Sequence, residues 1–209
     1  DPTGVKFASY YPDNIKLISE FFDASSLNEH CSGKKAKVIT SFSMFYDLED
    51  PIAFAKDIES SLEDEGVWIF EQSYLPTMLK TNSFDTICHE HLEFYALKQI
   101  NWIAKEAGLK VLDVEFNDIN GGSFSITASK IESSHEVNQE LLDKILDNEK
   151  KLGLNSEKAF EDFKCRVYKE KDALMDFLKN ASKDGKRVCG MGASTKGNVL
   201  LQYYNIDSS

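Results

Sequence analysis

Apolar positions fall into two kinds of run along the chain. Ala36-Lys37-Val38-Ile39-Thr40-Ser41-Phe42 and Val67-Trp68-Ile69-Phe70 are short and nearly continuous, rich in β-branched and aromatic residues, as strands buried on both faces should be. Between them, Asp50-Pro51 offers a cap and a first-turn proline, and Phe54, Ile58 and Leu62 recur every fourth residue up to Gly66, which predicts a helix. Strand, helix, strand is the unit of a parallel sheet with helices on its faces. Upstream, residues 14–22 read as a short strand-like stretch, followed by a polar loop around Ser25 to Lys35.

Downstream, a helix is predicted from about Leu97 to Ala107, stopped at Gly108. Leu109 to Phe116 and Ser123 to Lys130 are strand-like runs joined by Asn117-Asp118-Ile119-Asn120-Gly121-Gly122, a hairpin turn whose glycines accept positive φ. The first region is expected to end near Ile131. Beyond it, Val137, Leu141 and Ile145 keep one helical face, and Phe160, Phe163, Val167, Leu174 and Phe177 keep another across a strongly charged segment, so two long helices are expected. Lys186-Arg187-Val188-Cys189 then reads as a strand entering the turn Gly190-Met191-Gly192-Ala193-Ser194-Thr195-Lys196-Gly197 and a helix through Leu200, Leu201 and Tyr204. A lone strand-turn-helix unit cannot bury its own faces. That, with an N-terminus that is not Met, leads to the expectation of a chain cut at both ends.

Composition narrows the partners. Lys and Arg total 24 against 35 Asp and Glu, a net charge of −11, which repels nucleic-acid phosphates and anionic membranes. Neither nucleic acid nor membrane is an expected partner, and no apolar run approaches a membrane span. Cys31, Cys88, Cys165 and Cys189 are scattered without a C-x-x-C pair, the pattern of reduced thiols, so a cytoplasmic protein is expected. No oligomeric state follows from the pattern.

The densest chemistry is Asp85-Thr86-Ile87-Cys88-His89-Glu90-His91. An imidazole beside a carboxylate suits a general base and its orienting partner. A polar loop whose histidines bond backbone fits the same residues, and so does a metal site using His89 and His91. Ser43-Met44-Phe45-Tyr46-Asp47 and Glu71-Gln72-Ser73-Tyr74-Leu75-Pro76 each follow a predicted strand, where ligands of parallel sheets gather. The glycine turn fails both nucleotide fingerprints, because Thr195 stands where G-x-G-x-x-G needs glycine and Asn198 follows Gly197. It remains a turn that serves tight packing or brings backbone N–H groups and Lys196 to a phosphate. His30 and His135 read as surface residues.

Together these stretches, with the opening Asp1-Pro2-Thr3 and with Asn120-Gly121-Gly122-Ser123, resemble the S-adenosylmethionine-dependent C-methyltransferases that act on nucleotide-linked deoxysugars. The resemblance runs in the family's order over essentially the whole chain. It implies an α/β fold: a class I, Rossmann-like methyltransferase sheet with helices on both faces over residues 1–131, incomplete at its N-terminus. Residues 132–209 would be a helical segment and the start of a C-terminal sugar-nucleotide-binding domain. A zinc module and a cofactor glycine loop would precede this chain, so zinc is expected only in that absent module and no metal in the residues at hand.

The resemblance also assigns roles. Asp1 would bind the cofactor ribose, and Ser43 and Met44 would form the floor of the S-adenosylmethionine site. His91 would be the base that takes a proton from the carbon next to a 4-keto group, leaving an enolate, with Glu90 orienting it and Tyr74 or His89 near the oxyanion. Glu71, Asn120, Gly121 and Lys196 would face the sugar nucleotide. Two positions depart from well-known members, which have tyrosine where this chain has Cys88 and histidine where it has Asn120. A fragment of this extent is expected to be inactive. The rival expectations are a metal-dependent hydrolase built on His89, Glu90 and His91, and a non-catalytic nucleotide-binding module.

Overall fold

A computed structural model describes residues 2–192 and 194–206. In chain order the regular elements are α1 (Ala24–His30), β1 (Ala36–Phe42), α2 (Pro51–Ser61), β2 (Leu62–Ser73), α3 (Leu75–Thr81), α4 (Leu97–Glu106), β3 (Leu109–Asn117), β4 (Ser123–Lys130), α5 (Gln139–Lys151), α6 (Glu157–Lys183) and α7 (Thr195–Tyr204), with short 3-10 turns between them. The four strands form one sheet in the order β1-β2-β4-β3. β1 runs parallel to β2 through the α2 crossover, whereas β4 is antiparallel to both β2 and β3.

Local chemistry explains the crossover. The Asp50 carboxylate accepts the Ala53 N–H at 2.9 Å, and Pro51 occupies the first turn, where its missing N–H costs nothing. α2 stops at Ser61, earlier than the predicted Gly66. A side chain at Gly66 would stand 2.8 Å from the Ala36 carbonyl, so the chain must already be extended there to pass the start of β1.

On β2, Trp68 and Phe70 face one side, in register with Ala128 and Ile126 of β4. They share a core with Ala55 and Ile58 of α2, Ile100 and Ile103 of α4, and Leu142 and Ile145 of α5. Phe45 lies at its centre, 1% exposed, with its ring centroid 5.5 Å from Trp68, 5.3 Å from Phe70 and 5.5 Å from Tyr95. The helices that share this core all lie on one face. On the other, Val38 and Phe42 of the edge strand β1 are 54% and 55% exposed. A second cluster gathers Leu75, Met78 and Leu79 of α3 with Phe84, Phe163, Val167 and Tyr204.

Three expectations are corrected. Residues 14–22 form no strand, because β1 pairs with β2 alone and offers them no ladder among the described residues. The polar stretch after them holds α1, capped by Asp23, whose carboxylate accepts the Ser26 N–H at 2.8 Å. Residues 186–189 form no strand either, for the same want of a neighbour, although the helix expected after the glycine turn is present as α7.

Candidate functional site

Parallel pairing sets the carboxyl ends of β1 and β2 side by side, and the site is built on them. Ser43 leaves β1 with a left-handed φ of 52°, and its N–H bonds the Glu71 carbonyl at 2.8 Å, which ties the two strand ends together. The turn that follows buries Phe45 and Tyr46 and leaves Met44 half-buried against the core. The Glu71 carboxylate is occupied by the Asn117 side-chain amide at 2.7 Å.

Tyr46 organises the histidine segment. Its carbonyl accepts the N–H groups of Leu92 at 2.9 Å and Glu93 at 3.1 Å. Its ring lies 4.4 Å from the His91 ring, tilted by 54°. The segment folds tightly: Cys88 N–H donates to the Thr86 carbonyl at 3.1 Å, and His91 N–H donates to the Cys88 carbonyl at 3.3 Å. Thr86 also fixes the imidazole, because His91 Nδ1 lies 2.8 Å from the Thr86 carbonyl oxygen. A carbonyl only accepts, so Nδ1 carries the hydrogen and the lone pair of the neutral ring sits on Nε2. Asp47 belongs to the same cluster. Burial pushes its carboxyl above the ordinary range, His91 pulls it back, and Glu90 raises it further.

The structure thus sets His91 against Tyr46, in the turn that follows Ser43 and Met44, and redistributes other roles. Glu90 is exposed and is not the orienting partner of His91, since Nδ1 is taken by the Thr86 carbonyl. His89 is exposed on the wall of a cavity of about 570 Å³ that Ile87 and Cys88 line from one side and Thr195, Asn198, Val199, Gln202 and Tyr203 of α7 from the other. Lys196 is half-buried on α7 and is not part of that wall.

Asn120 and Gly121 form a turn with φ of 55° and 85°, and a Cβ on Gly121 would stand 3.2 Å from Ser83 Oγ, at the start of the histidine segment. Tyr74 is buried and donates its hydroxyl to Glu149 Oε1 at 2.8 Å, so that hydroxyl is committed to a core carboxylate and not to a reacting oxygen. Burial, with Glu149 beside it, raises the Tyr74 phenol well above its usual range. Among the described residues no three His, Cys, Asp or Glu side chains converge as metal ligands, so the histidine pair presents no metal-binding set. Asp1 lies outside the described residues.

Sequence reasoning missed Tyr46, Asp47, Thr86 and Glu149 as working parts. Tyr46 and Asp47 stood inside a motif already placed at a strand end. A backbone carbonyl such as that of Thr86 has no signature in sequence.

The Methyltransferase domain family matches residues 5–114, more than half of the chain, and the chain belongs to it. Its α/β sheet is the Rossmann-like sheet of a methyltransferase. The C-methyltransferase C-terminal domain family matches residues 118–209. The C-methyltransferase NovU of Streptomyces niveus is 30% identical over 166 residues, 79% of this chain and 39% of that protein, so the chain spans well under half of that relative's length. Solved structures with partial likeness include LepI in complex with SAM, 14% identical over 46% of this chain and 27% of that one with a TM-score of 0.40. Another is magnesium protoporphyrin IX methyltransferase from Synechocystis PCC 6803 with bound SAH, 13% identical over 47% of this chain and 46% of that one with a TM-score of 0.37. No helix among the described residues is long and apolar enough to cross a membrane.

Proposed function

We propose that this chain is part of a cytoplasmic S-adenosylmethionine-dependent C-methyltransferase acting on a nucleotide-linked 4-keto deoxysugar. Residues 1–131 supply the methyltransferase domain, and residues 132–209 supply helices and the start of a sugar-nucleotide-binding domain. The observation that carries the reading is the His91 imidazole, fixed through Nδ1 on the Thr86 carbonyl so that Nε2 is free to accept a proton. The family match and the likeness to NovU support the same class.

The residues at hand fit one side of the cofactor. Ser43 turns off β1 in a left-handed conformation with its hydroxyl against the Tyr46 phenol, and Met44 leaves an apolar surface, at the strand end where ligands of such sheets lie. When bound, the cofactor supplies an electrophilic methyl on a sulfonium.

A C–H bond is not a nucleophile until its proton leaves, and an adjacent carbonyl lowers the cost by taking the charge as an enolate. His91 Nε2 takes that proton. The electron pair becomes a C=C bond and the carbonyl pair moves onto oxygen. The enolate carbon would then take the methyl as the cofactor's sulfonium C–S bond breaks and its electron pair stays on sulfur, leaving S-adenosylhomocysteine; the carbonyl would re-form and the imidazolium would return its proton to solvent. The cavity between the histidine segment and α7 has room for a part of the substrate beyond the reacting carbon, with Asn198 and Gln202 as hydrogen-bonding side chains.

The test is calorimetry of S-adenosylhomocysteine with the intact protein, followed by transfer of labelled methyl from S-adenosylmethionine to dTDP-4-keto-6-deoxyglucose. Stoichiometric binding with His91-dependent transfer is expected. Binding of dTDP alone, with no cofactor bound and no transfer, would make the protein a nucleotide-binding module and defeat the proposal.

A further inference from the structure

Making an enolate requires two groups, a base at carbon and a hydrogen-bond donor at oxygen; of the two residues expected for the second role, Tyr74 is committed to Glu149, and His89 stands on the wall of a cavity that His91 does not line. The carbon that loses its proton and the carbonyl oxygen are two bonds apart, so the donor has to stand beside His91.

The side chains gathered there differ sharply in what they can give. Asp47 and Glu90 bear carboxyl groups, which when ionised only accept. Cys88 carries a weak S–H donor. Phe94, whose ring is 6.5 Å from that of His91, offers none. Tyr46 carries a phenol on a ring that is 8% exposed and 4.4 Å from the imidazole. Its backbone carbonyl holds Leu92 and Glu93, so the relative position of Tyr46 and His91 is set by two hydrogen bonds and a ring contact.

We infer that the Tyr46 phenol is the donor that stabilises the enolate oxygen, an assignment that rests on the proposed methyl-transfer reading. Its O–H donates to the oxygen as charge develops there and keeps its proton, while His91 Nε2 takes the proton from carbon. Burial raises the phenol above its ordinary range against a hydrogen bond from Ser43, and Asp47 and Cys88 raise it further, so the donor stays protonated at neutral pH. A donor held in place before the reaction costs no reorganisation when charge appears, which is why such groups contribute strongly to rate. Tyr46 is thus a catalytic residue in addition to the base.

The test is Tyr46→Phe in the intact protein with dTDP-4-keto-6-deoxyglucose as probe. Two rates are read: methyl transfer, and exchange of the substrate's α-hydrogen for deuterium with S-adenosylhomocysteine in place of the methyl donor. Loss of one such donor typically lowers turnover about 10²–10³-fold. Both rates are expected to fall by that factor, with KM and S-adenosylhomocysteine affinity little changed. A variant that exchanges and methylates at the wild-type rate, while His91→Asn does neither, overturns the Tyr46 assignment and leaves the methyltransferase reading standing. A wild-type protein inert in both assays overturns both. Should Tyr46→Phe fail to fold, a ring-fluorinated tyrosine at position 46 keeps the ring's bulk and makes the phenol more acidic. The alkaline limb of the kcat profile then moves to lower pH, and an unmoved limb overturns the assignment.

Discussion

The Tyr74 hydroxyl donates to Glu149 Oε1 at 2.8 Å across 75 residues of sequence, joining the end of β2 to the buried side of α5. The same carboxylate accepts the Leu97 N–H at 2.7 Å and the Lys98 N–H at 3.1 Å, so it also caps α4. Glu149 is 4% exposed. Tyr74→Phe removes one bond to this group and is expected to cost about 1.5–3 kcal/mol. Glu149→Ala strands three donors and should cost on the order of 3 kcal/mol or more, whereas Glu149→Gln keeps one acceptor oxygen for the helix cap and should cost less than Ala. In a double-mutant cycle by urea denaturation, Tyr74→Phe and Glu149→Ala should couple; full additivity would mean the hydrogen bond contributes nothing.

Gly122 closes the turn between β3 and β4, and its carbonyl accepts the Tyr74 N–H at 3.1 Å. Its φ is 124°, and a Cβ there would collide with Thr77 Cγ2. Gly122→Ala therefore combines a strained backbone with a collision against α3, and a loss of about 2–4 kcal/mol is expected. Adding Thr77→Ser removes the colliding methyl and should recover part of that loss. No recovery would show that backbone strain alone sets the cost.

The Thr86 carbonyl dictates the tautomer of His91. Nitrogen-15 NMR of the neutral ring should find the proton on Nδ1, with Nε2 as the unprotonated nitrogen. A ring protonated on Nε2 would withdraw the lone pair from the position that the proposed chemistry uses.

Acid should loosen the junction between the start of β2 and residues 133–135. The Glu65 carboxylate accepts the Ser134 hydroxyl at 2.7 Å and its N–H at 3.1 Å. The Ser134 hydroxyl, then its N–H, hold the Glu65 carboxyl below its usual range. A depressed carboxyl contributes stability at pH values above its unfolded pKa and loses that contribution as pH falls through its folded value. Ser134→Ala should flatten this acid dependence, read as the change in denaturation midpoint between neutral pH and the carboxylate range. An unchanged slope would show that Glu65 is not linked to folding.

Much of the scaffold was legible because local chemistry decided it. The apolar runs 36–42 and 67–70 sit in adjacent strands, and the Asp50-Pro51 pair starts α2 as the cap rule requires. Residues 14–22 carry a strand-like pattern, yet a strand exists only where another chain segment completes its hydrogen bonds, and that is a tertiary fact. α1 was hidden because its signal is one short side-chain cap at Asp23 in a polar stretch.

The site divides in the same way. His91 stood out by residue type and position in its motif, but the group that orients it is a backbone carbonyl, and every residue has one. Tyr74 was misread because its partner Glu149 is brought to it only when α5 packs on the sheet. Tyr46 stood in a motif placed at a strand end, but its contact with the His91 ring exists only in the folded chain.

The central claim is that His91 is the base of a methyl transfer to carbon. It is tested most directly by incubating the intact protein and its His91→Asn variant with dTDP-4-keto-6-deoxyglucose and methyl-labelled S-adenosylmethionine, and locating the label by carbon-13 NMR. A new methyl on the carbon next to the ketone, formed by the wild type and absent with the variant although S-adenosylhomocysteine still binds, is the predicted result. Label appearing on oxygen, or equal transfer by the variant, would contradict the account.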